Sequence, residues 1–254
     1  MNVPLYIAKR YAFSKSKTKA INTITKISTL GILVSAMALF VVMSVFSGLK
    51  TFNLSFTNAI DPELVMLPKT GKSITISSQQ LKQLQKTKEI ANFSFVVEER
   101  VVFSYREKQL AAHIKGVDSL YQNVTNIKKH LAYGEWLIPH SNQVILGNVI
   151  ASNLSLGMFS NDKFLEVLAM KPGEGSFNSP EEAYNRFALN PVGIYALNNV
   201  DIDSKYIYSD VSLAQNLLAW KPNQYSKIEF KISENSTENS AIKSIEKIFG
   251  ENFV

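Results

Sequence analysis

The 254-residue sequence contains no cysteine. Disulfides, thiolate metal sites and cysteine nucleophiles are thereby excluded, and an exported domain would have to hold by packing alone. Acid is missing from the whole N-terminal stretch, where the first carboxylate is Asp61. Histidine is scarce: His113, His130 and His140 are the only three, and no two share the spacing that places a pair of ligands on one helical face. Each therefore reads as a surface or structural histidine. Pro172-Gly-Glu-Gly175 lacks the Lys-Ser/Thr of a phosphate loop, and no serine sits in a Gly-x-Ser-x-Gly turn. Glu98 and Glu99 are adjacent in a strand pattern, so their side chains point to opposite faces and cannot act as an acid–base pair. One solvated and one ion-paired carboxylate is the expectation. The residues give no catalytic group, no cofactor and no metal, which favours a binding or mechanical protein over an enzyme.

What is present is one long apolar run, residues 27–46, without charge or proline. As a helix it reaches about 30 Å, the thickness of a bilayer's hydrocarbon core. Its Leu, Ile, Val and Phe residues contribute about −3 to −7 kcal/mol to insertion, and its serines and threonine return part of that. The run is too long for a secretory leader, and small residues do not follow it as a cleavage site would require. It is also apolar all round, unlike a surface helix of a soluble core.

Lys9, Arg10, Lys15, Lys17, Lys19 and Lys26 precede the run. By the positive-inside rule the N-terminus is cytoplasmic and everything beyond the span lies outside. The chain has 27 basic and 21 acidic residues, so its formal charge of +6 equals these six flank residues. The remainder is neutral, and nucleic-acid binding is excluded.

In order, residues 5–13 read as a short helix lying on the inner leaflet, its basic groups near lipid phosphates. Helix resumes near Ala20 and runs to about Asn58 as span plus stalk. Ser28, Gly31, Ser35 and Ala38 form a stripe about 80° wide where another helix can approach closely. Bulky Leu30, Leu33, Met37, Phe40 and Val41 lie opposite. Asp61-Pro62 ends the helix.

Short alternating elements follow: strands at 63–67 and 74–77, a helix at 78–88 capped by Ser78, and a hairpin of 93–105 with 110–117. Residues 119–133 read as helix or loop, 144–146 as strand, 148–156 as helix and 164–170 as strand. Polar 171–187 reads as a long loop or protruding hairpin. Strands at 192–197, 206–208 and 228–232 and helices at 212–219 and 236–249 complete an α+β outer domain. The expected organisation is a basic segment at 1–20, a span with stalk at 21–57, and an outer domain at 58–254 with an inner subdomain near 118–198.

Leu5-Tyr-Ile-Ala-Lys-Arg-Tyr11, Thr25-Lys-Ile-Ser-Thr-Leu-Gly31 and Val42-Met-Ser-Val-Phe-Ser-Gly48 resemble the start of Lol-type lipoprotein-releasing permeases. These are macrolide-exporter-type ABC permeases with a MacB-like periplasmic core domain. Ile114-Lys-Gly-Val-Asp118, Val144-Ile-Leu-Gly147, Ala151-Ser-Asn-Leu154 and Pro191-Val-Gly-Ile-Tyr195 extend the similarity along the chain. The resemblance implies a bacterial inner-membrane permease working with a cytoplasmic ABC ATPase subunit and a second permease copy or paralogue. Its cargo would be a lipoprotein passed to a periplasmic carrier.

By position in the family, residues 171–187 would hold a carrier-docking hook, including Pro172, Phe177, Asn178 and Pro180. Met37, Phe40 and Val41 would be lipoprotein-chain contacts. The family's glycine-aspartate turn is stretched here to Gly157-Met-Phe-Ser-Asn-Asp162. The family continues into three more spans whereas this sequence stops at Val254, so the resemblance implies the N-terminal portion of a permease. Macrolide- or peptide-exporter and cell-division relatives, and a single-pass anchored binding or sensory domain, are the competing readings.

Overall fold

In the computed structural model, residues 3–13, 19–157, 164–171 and 183–250 are described. The chain separates into two units, 1–54 and 55–254. Helix α1 spans Val3–Phe13, and helix α2 spans Lys19–Ile60, ending where Asp61-Pro62 disfavours another turn.

The second unit contains strands β1 (Leu64–Met66), β2 (Ile74–Thr75), β3 (Ile90–Tyr105), β4 (Lys108–Val117), β5 (Leu131–Gly134) and β6 (Gln143–Gly147). It continues with β7 (Leu165–Met170), β8 (Tyr184–Tyr195), β9 (Tyr206–Asp210), β10 (Gln224–Tyr225) and β11 (Lys227–Ile232). The helices are α3 (Ser78–Leu84), α4 (Tyr121–Val124), α5 (Asn148–Asn153), α6 (Val200–Asp203), α7 (Val211–Leu217) and α8 (Glu238–Phe249). A 3-10 turn occupies Ile127–His130.

Local chemistry sets several boundaries. Ser77, not Ser78, caps α3: its hydroxyl accepts the N–H of Gln80, whose side chain accepts the N–H of Ser77. That capping box fixes the start one residue earlier than expected. The β3–β4 hairpin turns through Arg106 and Glu107 alone, with Tyr105 opposite Lys108 and Arg106 at φ 54°. Residues 184–187 are strand, not loop, because they pair with β7 up to Met170↔Tyr184. Tyr184 and Arg186 lie on an exposed face, while Asn185 donates to the Leu217 carbonyl and Phe187 packs against the core, so composition hid the pairing.

The main sheet runs β1-β11-β3-β4-β9-β6-β8-β5, and β7 pairs with both β3 and β8. These pairings close a six-strand circuit, β3-β4-β9-β6-β8-β7. Strand alternation sends Val101, Phe103, Ile114, Leu146, Val167 and Ile207 to one buried face, packed with Ile150 of α5 and Leu217 of α7. A second core joins Met66, Leu84, Phe230, Ala241 and Ile245. On the other face of the circuit lies a third, containing Tyr121, Ile127, Ile145, Tyr195 and Tyr208.

Candidate functional site

The N-terminal unit carries the residues expected to face lipid or another helix. The stretch Ala20–Lys50 is long and apolar enough to cross a membrane, and none of its most apolar window is buried. Ser28, Gly31, Ser35 and Ala38 are exposed, and a Cβ built on Gly31 meets nothing within 4 Å. Met37, Phe40 and Val41 are 57%, 74% and 56% exposed. Thr25 and Thr29 donate their hydroxyls to the carbonyls of Ile21 and Thr25 at 2.9 and 2.8 Å, so these polar groups are satisfied inside the helix. Lys9, Arg10 and Lys26 are exposed; the Lys19 side chain, Lys15 and Lys17 lie outside the described residues.

In the second unit, a line of charged groups crosses β4, β3 and β11. Directly opposed residues share a sheet face, and the registers Glu98↔Lys115, Arg100↔His113, Val96↔Lys227 and Ser94↔Glu229 put all of them on one side. His113 Nδ1 lies 3.4 Å from Glu98, whose other oxygen is 2.7 Å from Lys227 Nζ. Glu229 Oε1 is 3.2 Å from Lys227 and 2.8 Å from Lys115 Nζ. Lys115 and Glu229 are buried, their side chains 4% and 1% exposed.

Tyrosines enclose Lys115: its ammonium is 5.1, 5.4 and 6.0 Å from the ring centroids of Tyr121, Tyr206 and Tyr208. Burial opposes the ammonium charge, yet Glu229, with Tyr208 and Glu98 adding to it, overcomes it and holds the pKa above the ordinary lysine value. Burial pushes the Tyr121 and Tyr208 hydroxyls well up. Those hydroxyls and that of Thr125 face one another without a well-aligned hydrogen bond. Glu98 and Glu229 balance Lys115 and Lys227, and Arg100 adds one positive charge on the same face.

Glu98 and Glu229 are each held by a lysine, so neither is free as a base. Glu99, on the opposite face, pairs with Lys72 at 3.1 Å, so both glutamates are ion-paired. Lys72 reaches Glu99 only through tertiary folding, which is why one was expected to be solvated. His130 and His140 join no cluster, and no group of three metal-ligating side chains exists among the described residues.

This line should make the domain acid-sensitive. Burial lowers the His113 pKa, with Lys205 and Arg100 adding to the effect while Glu98 and Glu99 oppose it. The unfolded chain therefore takes up this proton first, and stability falls as pH drops through about 6.5. Burial alone would raise Glu98, but Lys227 outweighs it and the pKa is lowered; this contribution is present above 4.5 and lost below it. Thermal unfolding followed by circular dichroism should show two acid steps, with His113→Gln removing only the upper one. An unchanged upper step would disprove the role given to His113.

The motifs that carry the resemblance are packing devices here. Gly116 has no room for a side chain, since a Cβ would lie 2.5 Å from that of Ala214 on α7. Asp118 accepts from the Ser94 hydroxyl at 2.7 Å and the Phe95 and Leu120 N–H groups at 3.0 Å. Gly147 abuts the Asp203 carbonyl. The buried Tyr195 hydroxyl donates to the carbonyls of Tyr206 and Ile202 at 3.0 and 3.3 Å.

Pro172, Phe177, Asn178 and Pro180 lie outside the described residues. The flanks of that segment are described: Lys171 N–H donates to the Ala183 carbonyl at 2.8 Å, so residues 172–182 join two antiparallel strands at their paired ends. Sequence reasoning missed Lys115, Lys227 and Glu229. The available signal was charge inside β-branched strands, Ile114-Lys-Gly-Val117 and Ile228-Glu-Phe230.

These features define an α+β domain preceded by an apolar, membrane-length helix, organised around packing and ion pairs. The chain belongs to the MacB-like periplasmic core domain family, which matches residues 25–158. It is 24% identical over 241 residues to the lipoprotein-releasing system transmembrane protein LolE of Haemophilus influenzae, covering 92% of this chain and 56% of that protein. The chain thus spans about half the length of this curated relative.

The periplasmic region of MacB from Actinobacillus actinomycetemcomitans shares the fold at 16% identity and a TM-score of 0.50, over 75% of this chain and 86% of that one. So does the extracellular domain of the noncanonic ABC-type transporter YknZ from Gram-positive bacteria, at 10% identity and a TM-score of 0.51, over 74% and 93%.

Proposed function

We propose that this chain is part of a permease subunit of an ABC transporter that releases lipoproteins from the bacterial inner membrane towards a periplasmic carrier. The observation that carries this is the similarity to LolE along 92% of the chain, helix and outer domain together. In this reading Lys9, Arg10, Lys15, Lys17, Lys19 and Lys26 keep the N-terminus cytoplasmic, and the domain beyond α2 is periplasmic. ATP hydrolysis belongs to a separate cytoplasmic subunit.

Ser28, Gly31, Ser35 and Ala38 pack against a helix of the transporter, and Met37, Phe40 and Val41 face lipid or the cargo's acyl chains. Residues around Phe177 and Asn178 dock the carrier. The domain would act mechanically, its ion-paired face transmitting displacement without local rearrangement.

A photo-crosslinker at Phe177 or Asn178 in the full-length gene product should capture a soluble lipoprotein carrier. Capture of a different periplasmic protein in its place would favour an exporter or cell-division role, and a lone monomer that never co-purifies with an ATPase would overturn the transporter reading.

A further inference from the structure

The second core is built from two interlocked halves, one running β1-α3-β3 and the other β11-α8. In the sheet β11 lies between β1 and β3 and is antiparallel to both, so β1 and β3 are parallel with one strand between them. The registers Leu64↔Phe230, Met66↔Ile228 and Ile228↔Phe95 put these side chains on one face, which Leu84 of α3 and Ile245 of α8 cover together. This is a split βαβ arrangement in which the strand after α8 is outside the described residues.

The position of that strand follows from the topology. Because β11 runs opposite to β1 and its helix covers the same face, a crossover of the same hand as β1-α3-β3 carries the chain the other way, past β1. On the β3 side the way is closed by β4 and by Asp118, which takes the Phe95 N–H at 3.0 Å. On the β1 side it is open, since β1 ends the sheet and pairs with no second strand among the described residues.

A groove of about 150 Å³ lies at this open edge, between Leu64 and Met66 of β1 and Ile242, Ile245 and Phe249 of α8, with Gly250 also lining it. Its size suits one aromatic ring, because a dry cavity of about 150 Å³ holds benzene. Gly250, at φ 79°, ends α8 by donating its N–H to the Glu246 carbonyl at 2.7 Å, and it turns the chain out of the helix at the groove. The sequence then reads Glu251-Asn-Phe-Val254, with Phe253 the first large apolar side chain past the turn.

From this we infer that residues 251–254 complete the sheet: they pair with β1 as an antiparallel edge strand, and the Phe253 ring fills the groove between β1 and α8. Strand alternation then turns Asn252 and Val254 to the side of Val65. Running against β1, the strand ends beside the residues that lead from α2 into β1, so the entrance and exit of the outer domain share one ladder. The pairing depends on the order of the sheet and not on which cargo the transporter moves.

The test combines Val65→Cys in turn with Asn252→Cys, Phe253→Cys and Val254→Cys in the full chain in detergent, where the lack of native cysteine makes any disulfide unambiguous. After mild oxidation, protection from maleimide labelling is expected for Asn252→Cys or Val254→Cys, and about tenfold less for Phe253→Cys, because only same-face neighbours bring their Cβ atoms within bonding range. Without any cysteine, Phe253→Ala should lower the melting midpoint of the outer domain by about 5 °C or more, and Asn252→Ser should leave it unchanged.

No disulfide from any pair, equal yields from all three, or an unchanged Phe253→Ala midpoint would overturn the pairing. A disulfide that joins two chains, seen as a dimer on a non-reducing gel, would also overturn it and give the groove to a second copy.

Discussion

Glu229→Leu is expected to unfold the outer domain more readily than any single change on the same face, at a cost of about 3–5 kcal/mol. Removing it leaves the buried Lys115 ammonium without its ion-pair partner, among aromatic rings and with Glu98, opposite it on β3, committed to Lys227. Ring faces attract a cation, but by about 1–2 kcal/mol at best, well below the cost of a buried unpaired charge. Lys115→Met should cost less, because Glu229 keeps Lys227 at 3.2 Å. The order of the two variants is therefore itself a prediction.

The double variant Lys115→Met/Glu229→Leu should recover much of the loss, since swapping a buried pair for apolar groups of similar volume is often neutral. Thermal melts of the outer domain within the detergent-solubilised chain would measure it. A domain of this size shifts by about 2–4 °C per kcal/mol, so the Glu229→Leu midpoint should fall by roughly 10 °C. Additive single effects, or equal losses for the two variants, would show that the buried pair does not act as a unit.

Gly147→Val is the second large effect. A Cβ at this position would sit 2.0 Å from the Asp203 carbonyl oxygen and 2.8 Å from its carbon, which are backbone atoms that cannot rotate away. The chain would have to push α6 off the end of β6. The Asp203 carboxylate, which accepts the Leu197 N–H at 2.9 Å, would leave with it, freeing a buried donor. Overpacking usually costs about 1–3 kcal/mol, and a main-chain collision with a lost buried hydrogen bond should exceed that. Failure to fold, or a melting midpoint lowered by 10 °C or more, is expected from about 2–4 °C per kcal/mol.

Gly31→Ala gives the contrast. With nothing within 4 Å of its Cβ, it should leave the outer domain's melt unchanged and act only on helix association. A Gly147→Val chain as stable as the parent would mean α6 docks elsewhere.

The sequence by itself determined the features that depend on local physics. An uncharged run with six basic residues before it declares its length and apolarity whatever surrounds it. Asp61-Pro62 stops a helix through sterics between neighbours, and period-two apolar alternation marks β3 and β4. The motifs Ile114-Lys-Gly-Val-Asp118 and Val144-Ile-Leu-Gly147 pointed to the family without revealing their own purpose.

Tertiary structure decided what depends on partners remote in sequence. The ion line joins residues 98, 113, 115, 227 and 229, which come together only when β11 pairs with β3. The closed circuit exists because β7 reaches back to β3, and a strand's choice of second neighbour is not written in its alternation. Gly116 and Gly147 have no positive φ to mark them; their necessity lies in the helices that pack over them. Spacing in the chain fixes which face a side chain takes, and only the assembled sheet fixes what that face meets.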